Sequence, residues 1–323
     1  MDTWGLRVGG YLFCTGNKSI GMVIYMIKSR LASLSKHRAL AFAVIACLPV
    51  VILYAIFYLI PLGVTVVTSF FKWDRILIEG FIGFENYGRL FTDPIFYRSL
   101  TNILIWIGVA VFIHIPMCLM VAMILSTKLR GWQVMRTLLF IPQIISGVAW
   151  ATIFISVFNP SFGLLNGFLQ LIGLEGLQRN WLFDPVTAWP SIIATWLFFI
   201  GLYTMIMLAE LLSIPEEIYE AAKVDGASGI QLALYIKVPL LRLVTGTCLI
   251  LTISGGLRYF DGLYIMTNGA PNFRTQTLAL YLFQQYTHAK FAYANTIGVV
   301  MLVLGIILIL SVMKLTRSNE SDF

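Results

Sequence analysis

The sequence predicts an all-α polytopic membrane protein with six transmembrane helices. Of the 323 residues, 59% are hydrophobic and 11% are charged, whereas soluble domains carry about a quarter charged residues. Apolar runs long enough to cross a hydrocarbon core about 30 Å thick lie at 39–70, 99–126, 134–158, 188–213, 241–266 and 291–315. The prolines within these runs are tolerated, because neighbouring spans satisfy the carbonyl groups that prolines leave free.

The distribution of Lys and Arg predicts which loops are cytoplasmic. Six spans leave both termini on one side of the membrane. Fourteen of the 22 Lys and Arg residues fall on that side, in 1–38, 127–136, 214–242 and 314–317, and the other eight are mixed with seven acidic residues. The positive-inside rule therefore predicts that both termini and the 214–239 loop are cytoplasmic. The same rule accounts for the net charge of +7, so nucleic acid is not expected as a partner.

Three segments are expected along the chain: a basic cytoplasmic N-terminal segment at 1–38, a six-span domain at 39–315 and a cytoplasmic tail at 316–323. The first apolar run is too long for a signal-peptide core and has no A-x-A cleavage pattern, so it is expected to be a retained span. Met22 and Met26 each precede a basic flank, and a start codon later than Met1 is the alternative for residues 1–25.

No catalytic or metal site is expected in this chain. The four cysteines form no CxxC pair, and no cluster of His, Cys and carboxylate residues has ligand spacing. The stretch GYLFCTGNKS lacks the glycine spacing of a phosphate-binding loop. His114 stands alone in an apolar run and is expected to be a hydrogen-bonded residue of the bundle interior.

Two loops on the predicted outer side are rich in apolar residues. Residues 72–98 hold seven aromatic residues among charges, which is typical of an interfacial aromatic belt. A short interfacial helix that meets an external partner is the alternative. Residues 159–187 are apolar, punctuated by glycine and too short to span twice, so they predict a re-entrant or surface amphipathic element.

The longest charged interruption between the spans runs from Pro215 to Pro239, PEEIYEAAKVDGASGIQLALYIKVP. We call residues 214–239 the EAA segment. Ser213 and Glu216 have the spacing of a capping box, and a proline costs little in the first turn of a helix. A helix is therefore predicted from Ile214 to Val224.

A second helix is predicted in the later half of the EAA segment. Gly226 suits a left-handed stop for the first helix. Ser228 is placed to cap a second helix, which is expected to reach Tyr235 or Ile236 and to end at Pro239. The two helices would form a helix–turn–helix along the cytoplasmic surface.

Small residues lie beside acids on the first of these helices. Ala221, Ala222 and Ala227 would allow another surface to approach closely, and Glu220 could accept a hydrogen bond from an arginine of a partner. The physical pattern alone leaves two interpretations open, a docking surface and a solvated amphipathic loop without a partner.

The stretch EAAKVDGASGIQLALYIKVPLL resembles the EAA signature of permease subunits in binding-protein-dependent ABC importers. The signature positions correspond to Glu220, Ala221, Ala222, Gly226, Ile236 and Pro239. Segments such as GFENYGRLFTDPIFYRSLTN, LRGWQVMRTLLFIPQIIS and FDGLYIMTNGAP are similar to the sugar-importer branch. That branch has Gly-Gly-Pro where this chain has Gly269-Ala270-Pro271, and the identity of the substrate stays open.

The resemblance implies a type I ABC importer transmembrane domain whose coupling helix sits in a cleft of an ATPase. It implies an ABC ATPase dimer, a second permease subunit, an extracytoplasmic solute-binding protein and a carbohydrate as partners, in a bacterial cytoplasmic membrane. ATP and Mg would be held by the ATPase, and this chain would bind no cofactor. The residues expected to couple to the ATPase are Glu220, Ala221, Ala222, Asp225, Gly226, Ala227, Ile236 and Pro239.

By the same resemblance, the substrate pathway lies between two permeases and is lined by the spans that flank the EAA segment. Hydroxyl and aromatic side chains recur there at helical spacing and suit a sugar. Ordinary helix packing is the alternative for each of them. The candidate pathway residues are Thr195, Trp196, Phe199, Tyr203, Thr252, Gly256 and Tyr259.

A secondary, ion-coupled transporter is the alternative class of function. Such a transporter would need carboxylates within the membrane or an ion site at a broken helix. Glu210 is the marginal candidate, and its place near the end of the fourth run lets it reach the interface.

Overall fold

A computed structural model describes residues 7–8, 11–12, 41–42, 44–74 and 77–317. By its internal contacts the chain divides into two units, Met1–Val64 and Thr65–Phe323. In the first unit, β1 (Arg7–Val8) pairs with β2 (Tyr11–Leu12) in antiparallel register. The predicted boundary between residues 38 and 39 lies outside the described residues, and the division into three segments stays a prediction.

The described residues are mostly helical, and five helices are long and apolar enough to cross a membrane. They are α1 (Val44–Thr68), α3 (Pro94–Ser126), α7 (Ala188–Ser213), α10 (Arg242–Met266) and α12 (Phe291–Arg317). Their bounds match five of the six predicted runs within a few residues. The predicted all-α polytopic fold is confirmed.

The third predicted span is not a straight helix. It consists of α4 (Trp132–Ile144) and α5 (Gly147–Val157), which meet at a bend of 98°. Pro142 lies near the end of α4 and cannot donate a hydrogen bond to the preceding turn. Ser146 then caps α5 by accepting a hydrogen bond from the Ala149 amide at 3.3 Å. The described part of the chain holds six candidate spans if this bent pair counts as one.

Two of the long helices are interrupted. In α7, the parts Ala188–Leu197 and Gly201–Ser213 are separated by a short break, and in α10 the part Arg242–Leu257 is followed by Asp261–Met266. Gly201 stands where α7 crosses α4, and a Cβ at this position would overlap the Leu139 carbonyl. The glycine therefore permits the two backbones to touch.

The loop between α1 and α3 contains a β-hairpin, which was not predicted, in addition to a short helix. β3 (Phe71–Asp74) and β4 (Leu77–Phe81) pair antiparallel, and α2 (Glu85–Leu90) follows. The Asp93 carboxylate caps α3 through the Ile95 amide at 2.8 Å and accepts a hydrogen bond from the Tyr293 hydroxyl at 2.9 Å. These bonds tie the start of α3 to α12.

The 159–187 loop contains the amphipathic helix α6 (Leu164–Leu171) and a 3₁₀ turn at Glu175–Leu177. Its polar anchor is Asn166, which is the one buried residue of α6. The Asn166 side chain accepts a hydrogen bond from the Trp181 indole at 2.7 Å and donates to the Arg179 carbonyl at 3.0 Å. Leu164, Phe168 and Leu171 of α6 are exposed, as expected for a surface element.

The EAA segment is flanked by α7 and α10. The later half of α7 packs along the later half of α3, and α10 packs on α12. A buried cluster joins these ends and consists of Ile115, Cys118, Ala122, Leu125, Met207, Leu208, Leu211, Leu241 and Cys248. α8 (Glu216–Val224), α9 (Gly229–Leu240) and α11 (Leu278–Thr287) complete the described helices. The EAA segment thus follows directly on a packed core.

Candidate functional site

The first helix of the EAA segment begins later than predicted. α8 starts at Glu216, with Pro215 at the capping position and no side-chain cap. The predicted capping box of Ser213 and Glu216 is wrong, because the Ser213 hydroxyl donates to the Glu210 carbonyl at 2.8 Å. Ser213 is still the last residue of α7, where a serine readily bonds back to its own helix.

The predicted stop at Gly226 is confirmed in detail. Gly226 has a φ of +82°, which glycine adopts without steric cost. Its amide donates to the Lys223 carbonyl at 3.0 Å, and the Ala227 amide donates to the Ala222 carbonyl at 3.0 Å. This pair of bonds is a Schellman motif, and it turns the chain sharply between the two helices.

The start of the second helix is also confirmed. The Ser228 hydroxyl accepts from the Gln231 amide at 3.4 Å, and the Gln231 side chain accepts from the Ser228 amide at 2.7 Å. The predicted end at Pro239 is wrong, since α9 continues to Leu240. A π-helical turn over Leu232–Lys237 precedes Pro239. Its amides bond to carbonyls five residues earlier, so the backbone hydrogen bonding changes just before the proline, which has no amide to donate.

The two helices leave an open groove at the turn. It is lined by Asp225, Gly226, Ala227, Gln231, Tyr235 and Ile236, four of which are among the predicted coupling residues. Of the other predicted coupling residues, Glu220, Ala221 and Pro239 are exposed and Ala222 is buried. Glu216 and Glu217 lie in the first turn of α8 and Lys223 in its last, which is the favourable order for a helix dipole.

The surface around the groove is apolar as well as acidic. Val224 is 87% exposed, Tyr235 76% and Ile230 74%. Large apolar side chains grouped on an exposed surface mark an interaction site. The EAA segment therefore combines an acidic helix, small residues and exposed apolar side chains around one groove.

Three of the candidate pathway residues, Trp196, Tyr203 and Tyr259, lie in an aromatic cluster between α3, α7 and α10. We define the aromatic cluster as Trp106, His114, Trp189, Trp196, Tyr203 and Tyr259. The Trp106 ring lies 4.4 Å from the Trp196 ring and 4.9 Å from the Tyr259 ring, between centroids. The His114 ring stacks on Trp196 at 4.2 Å and meets Tyr203 edge-on at 5.5 Å.

Gly256 belongs to the same place, because a Cβ there would lie 2.7 Å from the Trp106 ring. The two threonines bond within their own helices. Thr195 donates to the Ile192 carbonyl at 2.7 Å and Thr252 to the Cys248 carbonyl at 2.8 Å. Phe199 packs on Trp150 instead, at 4.9 Å between ring centroids. The assignment of these residues to a substrate pathway stays a prediction.

Trp106 was not among the predicted residues, although it is the centre of the cluster. Trp106, Ala110 and His114 are spaced four apart on α3, which is the signal that places them on one face. His114 is fully buried, as predicted. However, neither ring nitrogen makes a hydrogen bond of good geometry to a described residue, although the Phe199 carbonyl lies near the ring.

Comparisons with known proteins identify the class of protein to which this fold and the EAA segment belong. Residues 115–318 match the family described as "Binding-protein-dependent transport system inner membrane component". A "Probable ABC transporter permease protein" of Bacillus subtilis is 34% identical over 84% of this chain and 94% of its own length. The "Lactose transport system permease protein" of Rhizobium radiobacter is 33% identical over 84% of this chain and 92% of its own length.

A solved structure shows the same fold. One chain of a bacterial ABC transporter involved in the import of the acidic polysaccharide alginate superposes with a TM-score of 0.77, covering 90% of this chain and 99% of that chain at 24% identity. The class is thus a multi-pass permease subunit of an ABC importer. The chain belongs to the family of binding-protein-dependent transport system inner membrane components.

Proposed function

We propose that the chain is one of two transmembrane subunits of an ATP-driven importer for a carbohydrate. The observation that carries the proposal is the EAA segment, in which Gly226 and Ile236 of the signature line an exposed groove. The relative named for lactose transport supports a carbohydrate as the substrate. An extracytoplasmic binding protein would deliver the sugar, and a second permease would complete the pathway.

The EAA segment is proposed to dock into an ATPase subunit on the cytoplasmic side. Glu220 is exposed on α8 and accepts a charge-assisted hydrogen bond from an arginine of the ATPase. The exposed Ala221 beside it leaves room for the ATPase surface to approach the helix. The apolar side chains of Val224 and Tyr235 then lose water on docking.

Closure of the ATPase dimer is proposed to move the EAA segment and the spans that precede and follow it. Two orientations of the spans, inward-facing and outward-facing, differ in how they accommodate the docked ATPase, so nucleotide shifts the balance between them. ATP and Mg are held and used by the ATPase. This chain supplies the pathway and no catalytic group.

The aromatic cluster is proposed to bound the pathway on this subunit. Ring faces such as those of Trp196 and Tyr259 stack on the apolar faces of sugars, and the hydroxyls of Tyr203 and Tyr259 are suited to sugar hydroxyl groups. Four of the six rings in the cluster are buried and those of Tyr203 and Tyr259 are half-buried in the described conformation, so full contact with a substrate requires the outward-facing or inward-facing rearrangement of the spans.

Uptake into proteoliposomes tests the proposal. The chain, its second permease, the ATPase and the binding protein are reconstituted together and supplied with labelled lactose, maltose or trehalose. Accumulation of at least one sugar only when ATP is enclosed with the ATPase supports the importer. Accumulation driven by a proton or sodium gradient without ATP would support the alternative, a secondary transporter. If the complex imports a solute of another class but none of the sugars, only the proposal of a carbohydrate substrate is contradicted.

A further inference from the structure

A lysine at the base of the EAA segment contacts elements that are distant in sequence. Lys237 lies in the π-helical turn of α9. Its ammonium Nζ donates a hydrogen bond to the Ser126 hydroxyl at 3.2 Å, and it stands 5.3 Å from the centroid of the Tyr219 ring. One side chain therefore joins both helices of the EAA segment to the end of α3.

Each partner of Lys237 is itself bonded to a long span. The Ser126 hydroxyl donates to the Met123 carbonyl at 2.7 Å in the last turn of α3. The Tyr219 hydroxyl donates to the Leu211 carbonyl at 3.4 Å near the end of α7. Leu211 is 2% exposed and belongs to the buried cluster shared by α3 and α7. The contact network thus reaches from the EAA segment into the packed ends of two spans.

The ammonium of Lys237 is partly withdrawn from water and is held in place by its partners. The side chain is half-buried, and this loss of water, together with the nearby Lys223 charge, lowers the pKa of the Lys237 ammonium. A desolvated charge is retained only where partners compensate for lost hydration. The Ser126 oxygen, the Tyr219 ring face and the carbonyl end of the α3 helix offset part of that loss.

We propose that Lys237 is a positioning residue that fixes the EAA segment to the ends of α3 and α7, so that movement of the segment is transmitted to both spans. This inference rests on the proposed function, because it assumes that an ATPase moves the segment. Lys237 would not bind the ATPase itself, and its loss would leave docking intact while weakening the transmission of the movement.

The inference requires a readout at the far end of a span. A cysteine at position 97 provides one, because Tyr97 is 50% exposed in the first turn of α3, at the end opposite to Ser126. Cys14 and Cys47 are replaced by alanine, and Cys118 and Cys248 stay because they are buried. The assembled complex in liposomes is labelled with a membrane-impermeant maleimide, without nucleotide and after trapping with Mg-ATP and vanadate.

Three variants are compared in this reporter background. Lys237→Met keeps the length of the side chain and removes the charge, and Lys237→Arg keeps the charge and its attraction to the Tyr219 ring. Lys314→Met is the matched control, because it removes an exposed positive charge at the end of α12. Co-purification of the ATPase reports docking in each case.

The nucleotide-driven change in labelling rate is expected to fall roughly tenfold in Lys237→Met, as for loss of a hydrogen bond to a charged group. Lys237→Arg and Lys314→Met are expected to keep the change, and all three variants are expected to co-purify with the ATPase. A fourth variant, Ser126→Ala, is combined with Lys237→Met, and the effects of the two substitutions should not add, since the two residues share one contact.

An unchanged response of Lys237→Met would overturn the inference and leave the proposed function standing. So would a loss in Lys237→Arg as large as that in Lys237→Met, since the charge would then not matter. If the unsubstituted reporter chain neither co-purifies with the ATPase nor responds to nucleotide, the proposed function fails, and the inference fails with it.

Discussion

The EAA segment and the aromatic cluster differ in what determines their structure. The EAA segment is built from local hydrogen bonds, as in the Schellman motif at Gly226 and the capping box of Ser228 with Gln231. The aromatic cluster is built from contacts between distant spans, such as Trp106 with Trp196. Most of the first region is exposed, whereas four of the six rings in the second are buried and those of Tyr203 and Tyr259 are half-buried.

This difference separates two kinds of sensitivity to substitution. In the EAA segment, a substitution that alters the turn should change how the segment presents itself to a partner, with little change in the packing of the spans. In the aromatic cluster, a substitution should first change packing, and any role in transport must be separated from that effect. The following predictions test each region in its own terms.

The largest expected effect is in the aromatic cluster, at Tyr259. Tyr259→Ala removes a ring that packs on Trp106, and about 3 kcal/mol of stability should be lost, as for other truncations of packed aromatic residues. The apparent melting temperature of the complex in detergent measures this loss. Sugar uptake should fall as well.

Tyr259→Phe separates packing from a role in the pathway. It keeps the ring and should leave the stability within about 0.5 kcal/mol. If Tyr259 contacts the sugar through its hydroxyl, uptake falls in Tyr259→Phe at unchanged melting temperature. Normal uptake in Tyr259→Phe would assign the residue to packing alone.

An intermediate effect is expected at Gly226 in the EAA segment. A Cβ at Gly226 would meet no atom within 4 Å, so the cost of Gly226→Val comes from the left-handed backbone and amounts to about 1–2 kcal/mol. The turn should distort, and ATP hydrolysis by the assembled complex should become uncoupled from sugar uptake. The ratio of ATP hydrolysed to sugar imported measures the uncoupling.

Two variants control for this prediction. Gly226→Asn should retain coupling, because asparagine tolerates the left-handed region. Gly229→Val adds the same side chain at a helical glycine that also has free space and no left-handed φ, and it should change the ratio less than Gly226→Val. Equal ratios in Gly226→Val and the unsubstituted chain would contradict a role for the turn.

The smallest effect is expected at the cap of α9. Ser228→Ala removes the side-chain acceptor of the Gln231 amide and should cost about 1 kcal/mol. Amide hydrogen exchange in residues 229–236 should therefore become faster. Ser213→Ala is the matched control, since its hydroxyl bonds back within α7, and it should leave exchange in α8 unchanged. Faster exchange in α8 after Ser213→Ala would instead support the capping box that was predicted for Ser213 and Glu216.

Local chemistry was predictable where one turn contains all the groups involved. The roles of Gly226 and Ser228 could be predicted because their hydrogen bonds involve residues at most five positions away in the sequence. The same reasoning failed at Ser213, because a serine can also bond to the preceding turn, and the choice depends on where α7 ends. It failed at Pro239 because the π-helical turn before it leaves no signal in the spacing of apolar residues.

Features that depend on contacts between spans were less predictable. Composition located the six apolar runs, but the bend of 98° between α4 and α5 could not be inferred from Pro142, since prolines are tolerated in straight spans as well. Trp106 was missed for a related reason. Its partners lie on α7 and α10, and its spacing to His114 identifies a common face without showing which helices cover that face.

The central claim is that the EAA segment docks an ATPase, and co-purification of the ATPase with Glu220→Lys tests it most directly. Reversal of the exposed charge on α8 should abolish co-purification and sugar uptake, since an arginine of the ATPase would then face a lysine. Glu175→Lys reverses an exposed charge in the 159–187 loop and should retain both. Equal recovery of the ATPase with Glu220→Lys and with the unsubstituted chain would contradict the claim.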